Sequence, residues 1–186
     1  MTHGEFVERM KKAIEIAKAK GAKVNGMAIA AQAALESGWG ESGLTQAANN
    51  LFGIKAGRNW KGEVLELPTW EYSQAQGWYR TVAHWRKYPS WNECIVDYAA
   101  IIASLSWFRD ALPHADPPNG DGDAEAWIRA LLPRPGEPGW ATDPQYLAKV
   151  QGVGMQMVAS STGWQDRKST RLNSSHIQKS RMPSSA

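Results

Sequence analysis

The sequence is poor in the residues that staple or metallate small proteins. One cysteine, Cys94, stands among 186 residues, so no internal disulfide is possible. It lies in an apolar helical stretch with no histidine beside it and reads as a buried structural thiol, not a nucleophile. The four histidines, His3, His84, His114 and His176, are scattered singly and form none of the paired spacings that a zinc site uses, so neither a metal nor a cofactor is expected. No apolar run reaches the length of a membrane span. Met1-Thr2-His3-Gly4-Glu5 opens an amphipathic helix instead of a signal peptide, and work outside the cytoplasm would then need another export route. Internal repeats are absent too, and 186 residues suffice for one domain with a core of its own.

Basic charge is scarce where it would matter for nucleic acid. The formal total is +3, but Asp166 to Ala186 holds five of the 21 basic side chains and one of the 18 acidic ones, which leaves residues 1–165 with 16 and 17 and a net charge of −1. A nearly neutral body lacks the dense basic face that phosphate binding requires, so no nucleic-acid partner is expected. The terminal stretch is Ser-rich and aperiodic, as a disordered segment would be, and has the look of translated read-through. The expected division is a catalytic domain of residues 1–163 and a disordered tail of residues 164–186, read as non-native.

What the chain has in excess is tryptophan, with ten copies. Most are expected in the core and some along a groove, because flat aromatic faces pack on the apolar faces of sugar rings. Residues 4–20 read as an amphipathic helix, with Phe6, Val7, Met10, Ile14 and Ala17 inward and Gly21 as its stop. Asn25 then caps a second helix. From Met27 to Leu35 that helix carries only Gln32 as a polar residue, and it ends on Glu36 before Gly38 and Gly40. A carboxyl on a closely buried alanine helix is partly desolvated, which raises its pKa toward what a general acid needs. By itself, however, a helix-end glutamate beside a glycine stop is more often structural.

Asn49 and Asn50 serve equally as turn formers or as ligand contacts. Glu63 to Leu67 and Trp78 to Trp85 alternate, are rich in β-formers and flank Ser73 to Gly77, which predicts a β-hairpin inserted into a helical protein. Glu71 sits on it among aromatics and reads equally as a site carboxylate or as an exposed partner of Arg80. Ser90-Trp91-Asn92-Glu93 has the form of a capping box opening a core helix with Ile95, Tyr98, Ile101, Ile102 and Leu105 inward. Asp97 lies one position from that face. A Pro/Gly/Asp loop covers residues 113–122, and a short helix over 123–132 points Trp127 and Leu131 inward. Asp143-Pro144 starts a last helix with Tyr146, Leu147, Val150, Val153 and Met157 on the core.

The motifs Ala34-Leu35-Glu36-Ser37-Gly38-Trp39-Gly40, Asn49 to Ala56, Trp60-Lys61-Gly62, Thr69-Trp70-Glu71-Tyr72, Arg86 to Ser90, Asp97-Tyr98 and Ala141 to Tyr146 resemble, in that order, the peptidoglycan N-acetylglucosaminidases of glycoside hydrolase family 73. The resemblance spans about residues 5–158. It implies an α+β, lysozyme-like fold, mainly a helical lobe with a small β-hairpin lobe and a glycan groove between them. It further implies hydrolysis of the β-1,4 bond between N-acetylglucosamine and N-acetylmuramic acid in cell-wall strands by a monomer acting in the periplasm, outside the cell, or as a phage endolysin released from the cytoplasm. Carried over by residue, the general acid falls on Glu36 and the second carboxylate on Glu71. Trp39, Asn50, Phe52, Trp70, Tyr72, Asp97 and Trp140 are assigned to substrate. The pattern departs at Trp140, where family members commonly have a tyrosine: an indole stacks on sugars but offers no phenolic hydroxyl. The region 113–123 is also longer than usual. The alternatives are a lytic transglycosylase on the same fold and a non-catalytic wall-binding module.

Overall fold

The computed structural model describes residues 1–75 and 77–160, without the side chains of residues 69–73. The expected tail therefore lies outside the described residues. In chain order the elements are α1 (His3–Ala19), α2 (Gly26–Ser37), α3 (Gly43–Ala48), β1 (Val64–Ser73), β2 (Gly77–Arg86), α4 (Trp91–Ser104), a 3-10 helix (Ser106–His114), α5 (Ala124–Ala130) and α6 (Tyr146–Ser160). Among the described residues, helices build one lobe and a single antiparallel hairpin the other, so the α+β expectation holds.

α1 forms where its apolar stripe predicts, with Phe6, Val7, Met10, Ile14 and Ala17 all buried. Its start is fixed by a reciprocal box that the sequence reading passed over: Thr2 Oγ1 accepts from the Glu5 amide, and Glu5 accepts from the Thr2 amide. α2 is the central helix and packs against α1, α5 and α6. Its alanines let those helices approach closely from several sides, and Ala28 to Ala34 are all buried. Asn25 caps it as expected, its Oδ1 accepting from the Ala28 amide at 3.0 Å. The same side chain donates to the His114 carbonyl, tying the start of α2 to the 3-10 helix.

Gly38 ends α2 in the left-handed region at φ 57°, a conformation that costs glycine little. Gly40, at φ 80°, is needed for space as well: a Cβ there would lie 3.2 Å from both Phe6 and Trp91.

α4 buries Ile95, Tyr98 and Ile102. The box expected at its start does not form. Ser90 makes no capping bond and donates instead to Asn92, while Glu93 pairs with Lys20 at the end of α1. A full charge within reach has drawn the carboxylate away from a neutral amide. The 3-10 helix occupies a stretch that the sequence left unassigned, and the expected loop begins only as it ends. α6 starts two residues later than Pro144 because Asp143 Oδ1 accepts from the Gln145 amide at 2.8 Å, closing a turn ahead of the helix.

The hairpin pairs Val64 with Arg86 through to Ser73 with Gly77. β1 runs six residues past the predicted Leu67, up to the expected polar turn. Along β2, Ala83 alone is buried, while Trp78 is 69% and Val82 50% exposed. The hairpin is held at its base. Ala56 and Arg86 amides bond the His84 and Ile54 carbonyls, and Lys55 bridges to Trp85.

Candidate active site

The C-terminal turn of α2 carries Glu36 to the edge of the helical lobe. Gln32, one turn earlier on the same helix, is wholly buried, whereas Glu36 keeps an exposed side. Behind it the carboxyl is backed by protein: Tyr146 Oη, from the first residue of α6, donates to Glu36 Oε1 at 2.7 Å. Burial by that packing raises the Glu36 pKa above the ordinary glutamate value, and the hydrogen bonds from Tyr146 and Trp140 pull partly the other way. No charged residue figures among these influences, so desolvation and neutral donors set the pKa of this carboxyl.

Tyr146 is 4% exposed and its own pKa is raised, by burial first and then by the neighbouring Glu36. The sequence reading placed it on the core face and at the end of the Ala141 to Tyr146 motif, without a site role. Its hydroxyl, six residues after Trp140 in the chain, bonds the Glu36 carboxyl directly. Trp140 is half-buried, its ring 4.9 Å from Tyr98 and 6.3 Å from Phe52, and its amide bonds the Leu131 carbonyl. It thereby joins the aromatic cluster beside Glu36.

The other residues assigned to substrate fall in different places. Phe52 is 3% exposed and stacks on Tyr98 at 4.4 Å, beneath Trp140. Trp39 stacks on His3 at 3.7 Å and meets Phe6 edge-on, so one of its faces is already covered. Asn50 has no exposed surface. Its Nδ2 donates to the Ile54 and Arg86 carbonyls and its Oδ1 accepts from the Ile54 amide, each at 2.9 Å, which ties the segment after α3 to the end of β2. Asp97 accepts both bonds of a fork from Arg86 Nη1, at 2.9 and 2.7 Å, and a third from Tyr88 Oη. The Tyr88 phenol is pushed far up, first by burial. Asn50 and Asp97 thus hold the hairpin base, Asn50 wholly buried and Asp97 with its carboxylate partly exposed.

Trp70, Glu71 and Tyr72 lie in β1, with Glu71 opposite Tyr79 in register, and their side chains lie outside the described residues. Cys94 is fully buried, and burial pushes its thiol up to about 12, as a structural thiol requires. Among the described residues no group of three or more His, Cys, Asp or Glu could hold a metal ion, and no helix is long and apolar enough to cross a membrane.

Comparison with known proteins places this architecture. The chain is 35% identical over 133 residues to the peptidoglycan hydrolase FlgJ of Pseudomonas aeruginosa, an alignment covering 69% of this chain and 30% of that protein. The chain thus spans less than half the length of that curated relative. Among solved structures, the catalytic domain of the autolysin Auto from Listeria monocytogenes matches with a TM-score of 0.66 and 31% identity, covering 86% of this chain and 87% of that one. A truncated glycoside hydrolase domain of Salmonella typhimurium FlgJ matches with a TM-score of 0.65 and 30% identity over 86% of this chain and 100% of its own. Residues 10–157 match the family model described as mannosyl-glycoprotein endo-beta-N-acetylglucosaminidase, and the chain belongs to this glucosaminidase family.

Proposed function

We propose that this chain hydrolyses the β-1,4 bond between N-acetylglucosamine and N-acetylmuramic acid in peptidoglycan, with Glu36 as the general acid. The observation that carries the reading is the environment of Glu36. It is a carboxyl open on one side, backed by protein on the other, with its pKa raised by burial and with no cation beside it to hold it ionised. Such a group protonates a leaving glycosidic oxygen near neutral pH. Membership of the glucosaminidase family and likeness to proteins named as peptidoglycan hydrolase and autolysin support the substrate class, with action at the cell wall.

Glu71 on β1 is the second carboxylate of this reading, a general base or water-positioning group brought over the glycan by the hairpin. Trp140, with Trp70 and Tyr72, supplies aromatic surface for sugar rings. Asn50 and Asp97 act indirectly, by fixing the base from which β2 leaves the helical lobe.

Turbidity loss of purified cell walls, compared between wild type and Glu36→Gln, tests the chemistry. General acid catalysis accounts for about 10²–10⁴ in rate, and a loss of that size is expected. Reducing N-acetylglucosamine ends in the digest identify a glucosaminidase, and anhydromuramic ends a lytic transglycosylase. Lysis left unchanged by Glu36→Gln would overturn the assignment of the acid.

A further inference from the structure

The register of the hairpin divides its residues between two faces. Successive residues of a strand lie on opposite faces, and residues directly opposite in an antiparallel pair share one. The pairing runs unbroken from Val64 with Arg86 to Ser73 with Gly77, so the division holds along the whole ribbon. One face holds Leu65, Leu67, Thr81, Ala83 and Trp85, all buried or half-buried. The other holds Val64, Pro68, Trp78, Arg80 and Val82, all exposed. Glu71, opposite Tyr79, continues the covered face toward the turn. Trp70, opposite Arg80, and Tyr72, opposite Trp78, fall on the open face. Glu71 and the aromatic residues on either side of it therefore belong to different surfaces.

The open face has a composition that points to a ligand. Its outer half is Pro68, Trp70, Tyr72, Trp78, Arg80 and Val82, apolar or aromatic apart from one cation, with no acid. Trp78 and Val82 are the two most exposed large apolar side chains among the described residues. Apolar surface gathered in this way marks an interaction site. Glu66 and His84, 3.1 Å apart, lie nearer the base, and Arg80 is the charge of the outer half. A peptidoglycan strand fits both features. Indole and phenol rings pack on the apolar faces of its sugars, and its stem peptides carry carboxylates that a guanidinium binds by a fork. An anionic lipid surface calls for a cluster of cations, and a second copy docked on the same half would set Arg80 against Arg80.

We propose that the open face of the hairpin is a second wall-binding surface: it holds a peptidoglycan strand other than the one presented to Glu36, with sugar rings on its aromatic residues and a stem-peptide carboxylate on Arg80. The proposal rests on the reading of the chain as a peptidoglycan hydrolase. The hairpin then lies between two neighbouring strands, and the enzyme stays on the wall when the groove releases its product.

Trp78→Ala and Arg80→Gln test this, since both side chains are exposed and neither change touches the core. Binding to purified walls is measured by sedimentation in the Glu36→Gln background, and hydrolysis of soluble glycan fragments, which reports the groove, is measured without that change. Trp78→Ala is expected to weaken wall binding about tenfold and Arg80→Gln about threefold. Activity on soluble fragments is expected to change by a much smaller factor in each. Amidating the wall carboxyls should erase the difference between Arg80→Gln and its parent.

Wall binding unmoved in both variants would overturn the proposal. A loss of binding matched by an equal loss of activity on soluble fragments would overturn it too, by placing these side chains in the groove. Self-association abolished by Trp78→Ala would give the face to a second copy, and binding to anionic vesicles lost in both variants would give it to a membrane; either overturns the wall assignment. Wall binding that falls as expected, in a wild type that cuts no soluble glycan, would leave the surface standing and overturn the hydrolase reading instead.

Discussion

The role proposed for Glu36 sets function against stability. Its folded-state pKa is raised, so the folded protein binds more protons than the unfolded chain between the ordinary glutamate value and the raised one. Stability therefore falls as pH rises through that window, and the loss is complete above it. Glu36→Gln removes the charge and keeps an acceptor for Tyr146. It should leave stability unchanged below the ordinary glutamate pKa and increase it at pH 7. The carboxyl is open to solvent on one side, so screening limits the gain to about 0.5 kcal/mol, or roughly 1–2 °C in Tm. Thermal melts of the two proteins at pH 4 and pH 7 check the sign. A mutant less stable than wild type at pH 7 would mean that Glu36 is held ionised in the folded protein. Sites that trade stability for activity behave in this way.

The hairpin shows the same division of labour at the scale of an element. It carries Glu71, yet most of β2 is solvent-facing, and side chains at its base hold its direction. Asn50 is the strongest of these ties because three backbone partners depend on one buried amide. Asn50→Ala should cost about 3 kcal/mol, which lowers Tm by roughly 6–12 °C. Asp97→Ala leaves a half-buried Arg86 without its carboxylate and should cost about 2 kcal/mol in urea unfolding. It should also lower kcat, since β2 is then free to turn about Ile54. Native kcat in Asp97→Ala would show that the fork is not needed to aim the hairpin.

These ties also mark what the sequence does and does not disclose. Period-two alternation exposes the hairpin, and the Met27 to Leu35 run exposes α2, because each is a local signal with a single cause. That Asn50 meets Arg86 is a contact across 36 residues, and its turn chemistry is what the sequence displays. Ser90 and Glu93 fail as a box for the converse reason: a distant lysine outcompetes a local amide, and local spacing carries no information about it. Tyr146 lies 110 residues from Glu36 and reads as a core residue by periodicity. It is a core residue, and only the direction of its hydroxyl makes it part of the site.

At the scale of the molecule, the large buried side chains among the described residues extend from Phe6 to Met157, and the family match ends at residue 157. Net charge divides differently, since the body carries −1 and the terminal stretch supplies the excess of cations. Folding and catalysis should therefore separate from long-range attraction to anionic wall polymers. A chain ending at Ser160 keeps Met157 and the whole of α6, and it should melt within about 1–2 °C of the full chain. Its kcat on soluble glycan fragments should be unchanged. Binding of the full chain to purified walls should weaken as salt rises from 50 to 500 mM, because exposed charges are screened over about 10 Å at 0.1 M. Binding of the shortened chain should be nearly flat over the same range. Sedimentation of both proteins with walls across the salt series measures this. Equal salt dependence would locate the attraction on the folded body, whose near-neutral total would then conceal a basic face.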